Sequence, residues 1–143
     1  RRCIVPVDGF YEPHTAKKNG KDFKVPFYFH RKDLNPFNLA GIYAVTKDKM
    51  VTFTILTKPA TPLFAKIHNQ KMRRPVILPD ADIDVWLDNT LNENEVQNAI
   101  NDDLVDEMIN AYPISKDLYK KSGEGDRADI IKLVEYPEVE IEY

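Results

Sequence analysis

Four apolar segments, rich in β-branched and aromatic residues, follow one another up to Leu56, and this succession constrains the fold more than any other feature of the chain. Cys3–Glu12 (CIVPVDGFYE), Val25–His30, Phe37–Val45 and Met50–Leu56 carry the residue types that fit a pleated, half-buried surface. In the last of them Val51, Phe53 and Ile55 alternate with Thr52 and Thr54, the period of two expected of a strand with one covered face. Gly9 marks a bend or bulge in the first segment. Residues 14–24 read as a polar, lysine-rich hairpin loop with Asn19-Gly20 as its turn. Asn35-Pro36 and Lys47-Asp48-Lys49 supply the other turns, and the whole predicts an antiparallel meander.

From Lys58 the pattern changes. Pro59 to Pro62 should open a short helix carrying Leu63, Phe64 and Ile67, ending near His68 and leading through a basic loop into a strand over Pro75–Leu78. Asp80 fits the N-cap of a helix with Ile83, Trp86 and Leu87 facing inward. A second helix starts at Asn92-Glu93-Asn94-Glu95 and repeats Val96 and Ile100 at helical spacing, and Asp103–Asn110 suggests a third short piece. Ala111–Ile114 returns as a strand, Lys120–Asp129 is a polar loop, and the alternating tail Val139, Ile141, Tyr143 either pairs at an edge or stays loose. The class is α+β, a single domain with a mostly antiparallel, β-rich body and short helices towards the C-terminal end.

Composition narrows the possibilities. At 143 residues and 43% hydrophobic content the chain buries one sizeable core. No apolar run approaches the roughly 18–20 residues that span a bilayer, so a soluble, cytoplasmic protein with no membrane partner is expected. Cys3 is the one cysteine, which excludes an internal disulfide and a multi-thiolate metal site, and it fits a small apolar residue at the start of a strand. His14, His30 and His68 share no ligand spacing, so neither a metal nor a cofactor is expected. Arg1 in place of methionine predicts a fragment or a processed product with something before it.

The net charge of −3 conceals a division along the chain. Residues 1–79 carry 15 Lys/Arg against 5 Asp/Glu, whereas residues 80–143 carry 5 against 18. Such asymmetry points to nucleic-acid contact by the basic half, or equally to basic strands packed near acidic helices. The basic half contains Lys66–Pro75 (KIHNQKMRRP), where His68 stands among Lys66, Lys71, Arg73 and Arg74. Alternation sends Arg73 and Arg74 to opposite faces, so one of them reaches the face of His68. Glu12 lies just beyond Gly9, where a partly buried carboxylate can move protons. On spacing alone Glu12 equally fits a solvated strand end, and His68 a helix cap. Among Phe10, Tyr11, Phe27, Tyr28 and Phe29, one or two exposed rings would suit stacking of unpaired bases.

Taken as blocks, Arg1–Glu12 (RRCIVPVDGFYE), Leu39–Tyr43 (LAGIY), Thr52–Thr57 (TFTILT), Ile67-His68 with Arg73–Pro79 (RRPVILP), and Trp86-Leu87 resemble the SOS response-associated peptidase (SRAP) family in order and spacing. The resemblance covers the C-terminal part of that family's domain and implies a barrel-like β body. It further implies a protein whose mature N-terminal cysteine attacks the ring-opened aldehyde of an abasic site in single-stranded DNA and closes a thiazolidine crosslink. Autocatalytic removal of the initiator methionine exposes that cysteine. Glu12 matches the family's acidic proton shuttle, His68 its histidine, and Arg73 the arginine that grips the DNA backbone, with Lys71 and Arg74 as neighbouring DNA-binding candidates.

The family's nucleophile falls in an N-terminal segment missing from this sequence, and Cys3 matches a different family position. The sequence also departs from the family at Asn69-Gln70-Lys71, which resembles an insertion between histidine and arginine. Arg74 stands where methionine is usual, and Pro13 where tryptophan often follows the glutamate. This fragment alone is therefore expected to be inactive. Two other readings are a non-covalent single-stranded DNA-binding module and a thiol peptidase acting on other proteins; the absence of a cysteine near His68 counts against the second.

Overall fold

The computed structural model describes residues 1–141. Its elements in chain order are β1 (Arg2–Val7), β2 (Phe10–Lys18), β3 (Lys21–Arg31), β4 (Phe37–Val45), β5 (Val51–Ile55), β6 (Thr57–Pro59), α1 (Pro62–Ile67), β7 (Arg73–Pro75), β8 (Ile77–Leu78), α2 (Ile83–Leu87), α3 (Glu93–Asn101) and β9 (Ile109–Pro113), with short 3₁₀ turns between and after them. All the strand pairings are antiparallel. They make three sheets and, among the described residues, no closed barrel.

β4 is the centre of the largest sheet. It pairs with β1 along one edge, from Phe37 to Ile42, while β8 (at Asn38 and Leu39) and β5 (from Gly41 to Val45) share the other. The second sheet has the order β2-β3-β9, and β6 with β7 forms the third. The segment Cys3–Glu12 is therefore not one strand. It turns at Asp8-Gly9 and enters two different sheets as β1 and β2. Gly9 is required there because β3 crosses closely: a Cβ would lie 2.4 Å from the Tyr28 ring and 2.5 Å from the Phe29 carbonyl oxygen.

Asn19-Gly20 makes the hairpin turn as expected, both residues at positive φ, but the polar stretch around it is strand, extending β2 and β3 to its edge. Pro75–Leu78 likewise divides: β7 joins β6, β8 joins β4, and Val76 between them donates to Leu56 O and accepts from Ala40 N. Asp80 caps no helix. It accepts from Arg31 Nη1 and Asn38 Nδ2, both at 2.8 Å, and a 3₁₀ turn precedes α2. Leu87, expected inside, is exposed, whereas Trp86 is buried and donates from Nε1 to Cys3 O at 2.8 Å. α3 starts where expected, and Asn92 caps it in a reciprocal box with Glu95. Val139 and Ile141 pack on the core without forming a strand, and Tyr143 lies outside the described residues.

The core joins the sheets through aromatic rings. Phe10 stacks on Phe29 at 5.2 Å and meets Phe37 at 5.2 Å, while Phe29 stacks on Phe64 of α1 at 4.7 Å. Such pairs add about 0.5–1.5 kcal/mol each beyond the area they bury. Their effect on function is positional: Phe64 fixes α1 against β2 and β3, and the residue after α1 is His68. No helix among the described residues is long and apolar enough to cross a membrane.

Candidate active site

Glu12 is the third residue of β2, on the inward-facing side with Phe10, His14 and Ala16. His68 is the C-cap of α1, its backbone N–H donating to Phe64 O at 2.7 Å. The helix end delivers the imidazole to β2, where Nδ1 lies 3.3 Å from Oε2 of Glu12 and 3.0 Å from the carbonyl oxygen of Arg73. A carbonyl only accepts, so Nδ1 carries the hydrogen, and Nε2 is the nitrogen available to a ligand. The side chains of His68 and Glu12 retain 12% and 19% exposure. Burial raises the Glu12 carboxyl above its ordinary range, and the neighbouring His68 pulls it partly back.

Tyr11, Glu12, Pro13, Lys24 and Tyr119 line an open cleft of about 310 Å³. Glu12 is among its lining residues and His68 is not. Burial pushes the Tyr119 hydroxyl up to about 12, reinforced by Glu12 and Tyr136. Tyr119 was not foreseen from sequence. It sits in a 3₁₀ turn (Lys116–Tyr119) beside a polar loop, and no local pattern ties that turn to β2.

The two arginines separate as alternation requires. Arg73 is exposed, and its Nη2 donates to the Thr57 hydroxyl, a neutral partner. Arg74 is 1% exposed and pairs with Asp103 beneath the surface, its guanidinium 5.7 Å from the centre of the Phe64 ring. Lys58 reaches the same carboxylate. The expectation that Arg74 binds DNA is therefore corrected: its charge is internal and already paired. Lys71 is exposed in the loop between His68 and Arg73, next to Met72 at φ 49°.

Among the described residues no cluster of three or more His, Cys, Asp or Glu is placed to hold a metal ion. His14 is buried, and His30 stacks on Tyr28 at 5.7 Å. Cys3 lies in β1, paired with Gly41, in a different sheet from Glu12.

The family model described as SOS response associated peptidase (SRAP) matches residues 1–121, a span holding Glu12, His68, Arg73 and Tyr119. The chain belongs to the SRAP family. It is similar to the abasic site processing protein YobE of Bacillus subtilis (strain 168), 35% identical over 91 residues that cover 61% of this chain and 39% of that protein. The abasic site processing protein YoqW of the same strain matches at 35% over 91 residues, covering 61% and 38%. Among solved structures, a protein from Bacteroides thetaiotaomicron superposes with a TM-score of 0.78 at 32% identity, over 94% of this chain and 57% of that one. One from Bordetella bronchiseptica gives 0.63 at 29%, over 80% and 55%. The matches thus span about two-fifths of the length of the curated SRAP relatives and just over half of the solved chains.

Proposed function

We propose that this chain is the acid/base part of an SRAP protein that recognises abasic sites in single-stranded DNA and crosslinks to them. The observation that carries this reading is the 3.3 Å approach of Glu12 Oε2 to His68 Nδ1, made by segments far apart in sequence inside the family match. The names of the B. subtilis relatives favour abasic DNA as the target.

In the proposed reaction, the amine of an N-terminal cysteine, carried on a segment outside this sequence, adds to the C1′ aldehyde of the ring-opened sugar. The resulting carbinolamine loses water to give an imine, and the thiol adds across the C=N bond to close a thiazolidine. The amine must lose a proton and the departing hydroxyl must gain one. Glu12, whose carboxyl holds its proton to higher pH than an ordinary glutamate, supplies the proton to the leaving water. His68 Nε2 accepts and returns protons at the sugar while Nδ1 stays anchored. Arg73, uncompensated by any carboxylate among the described ion pairs, binds a phosphate, with Lys71 beside it.

The N-terminal segment would cover the apolar end of the largest sheet. There Cys3, Ile4, Val5, Pro6, Tyr43, Val51 and Phe53 line an open cleft of about 430 Å³, with Phe53 61% and Val51 65% exposed. Autocatalytic removal of its initiator methionine belongs to the same proposal.

The test is incubation of the complete protein with an oligonucleotide bearing one abasic site, followed by heat denaturation and gel analysis. Attachment that survives heating without borohydride supports the reading. Retention that merely disappears with salt would leave a non-covalent DNA-binding module in its place.

A further inference from the structure

We infer that His14, Thr15 and Asn69 form a clasp that sets the distance between Glu12 and His68, which makes His14 and Asn69 positioning residues for the proton transfer described above. The inference rests on that functional reading for its consequence, but its geometry stands within this chain.

α1 has six residues, too few to hold its own position, and its last residue is followed directly by the imidazole. Three consecutive residues, 67 to 69, are each tied to β2. His14 Nδ1, in a ring 5% exposed, lies 3.0 Å from Ile67 O; a carbonyl accepts, so Nδ1 donates. His68 meets Glu12. Asn69 Oδ1 accepts from Thr15 N–H and Asn69 Nδ2 donates to Thr15 O, both at 3.0 Å.

The Asn69 contact has a clear cause. β2 pairs with β3 on one side, and Thr15 presents its N–H and C=O to the other, open edge. The Asn69 amide, one donor and one acceptor in a plane, supplies the pair of hydrogen bonds a neighbouring strand residue would make. The stretch Asn69-Gln70-Lys71 is thus more than a longer loop: its first residue docks on the strand that carries Glu12. His14 and Glu12, two apart in β2, share a face, so the same strand surface that positions the carboxylate also holds the helix end.

The opposite end of α1 is held as well. Asp106 accepts from Thr61 Oγ1 at 2.6 Å and from Leu63 N at 3.0 Å. Loss of Asn69 should therefore leave the helix in place and release the loop that orients His68.

The experiment compares wild type, Asn69→Ala and Asn69→Asp by two readouts. The first is the pH titration of the His68 ring followed by NMR, with His30 as internal control. In wild type the ionisation of Glu12 registers on the His68 signals; in Asn69→Ala that coupling weakens while the His30 curve stays fixed. The second is single-turnover crosslinking by the complete protein. Asn69→Ala lowers the rate by roughly 10- to 100-fold, the scale of an ångström-level displacement, with DNA affinity unchanged. Asn69→Asp keeps an acceptor for Thr15 N–H, lacks the donor to Thr15 O, and should fall between the two. His14→Gln, which retains an N–H for Ile67 O, should recover most of what His14→Ala loses. Unchanged His68 titration and unchanged rate in Asn69→Ala would overturn the clasp. A wild-type protein that never crosslinks would overturn the functional reading instead, and the titration alone would then decide whether the clasp sets the geometry.

Discussion

Two charged clusters on the three-stranded sheet each centre on a group drawn out of solvent, Arg31 in one and Glu12 in the other, and they are built on opposite principles. Arg31, 4% exposed at the end of β3, grips both oxygens of Asp33 at 2.9 and 2.6 Å and reaches Asp80 at 2.8 Å. Its hydrogen bonds hold the Asp33 carboxyl down at about 2 and raise the guanidinium further above its already high range. Neither Arg31 nor Asp33 titrates near neutrality. Glu12 is also removed from solvent, yet its partner is an imidazole rather than a permanent cation, so desolvation dominates and the carboxyl is raised. Burial by itself therefore does not distinguish a site. What distinguishes it is whether the partner is a permanent cation, as Arg31 is for Asp33, or an imidazole, as His68 is for Glu12.

The largest effect that sharpens this contrast is on rate. Glu12→Gln should slow crosslinking by the complete protein about 100-fold with DNA affinity nearly intact, measured in single turnover. Equal loss of affinity would make Glu12 a scaffold residue. The same substitution should not destabilise the fold at neutral pH. The Glu12 carboxyl is raised above 4.5, so the stability it contributes belongs to the protonated form, is complete below pH 4.5 and is lost as pH rises.

Arg74→Ala should cost about 3 kcal/mol in chemical denaturation, because it strips a guanidinium from beneath the surface and leaves the Asp103 carboxylate to Lys58 alone. Arg31→Met should cost about 2 kcal/mol through its lost charge-assisted hydrogen bonds. Its pH signature runs opposite to that of Glu12. The Asp33 contribution is present above pH 3.8 and is lost as pH falls towards 2, so the variant should lack that acid-side slope. Arg73→Ala should have the smallest effect on stability, within about 0.5 kcal/mol, while weakening DNA binding and reducing its salt slope by about one. An unchanged slope would remove Arg73 from the phosphate contacts.

The features legible in sequence were those with local causes. A strand at Val51–Ile55, the Asn19-Gly20 turn, the short helix ahead of His68 and the helix start at Asn92 all follow from neighbouring residues, and all are present. The covered face that the alternation in Val51–Ile55 predicts is not: Val51 and Phe53 are both exposed. Alternation also separated Arg73 from Arg74, though not which one would be buried; that is decided by Asp103 and Phe64 on other elements. Gly9 marks the bend within Cys3–Glu12, but nothing local reveals that Tyr28 and Phe29 press on it or that the two halves enter different sheets. Asp80 had the composition of a cap but meets Arg31, a partner 49 residues away. In the site, Glu12 and His68 were marked by their family blocks, whereas Tyr119 and the docking of Asn69 on Thr15 exist only once distant segments meet.

The measurement that tests the pairing of Glu12 with His68 most directly is the pH dependence of the crosslinking rate, wild type against Glu12→Gln. If the protonated Glu12 carboxyl serves the departing water, the wild-type rate has a limb that descends as pH rises through a midpoint above 4.5, and the variant lacks that limb. An identical descending limb in both proteins would contradict the assignment.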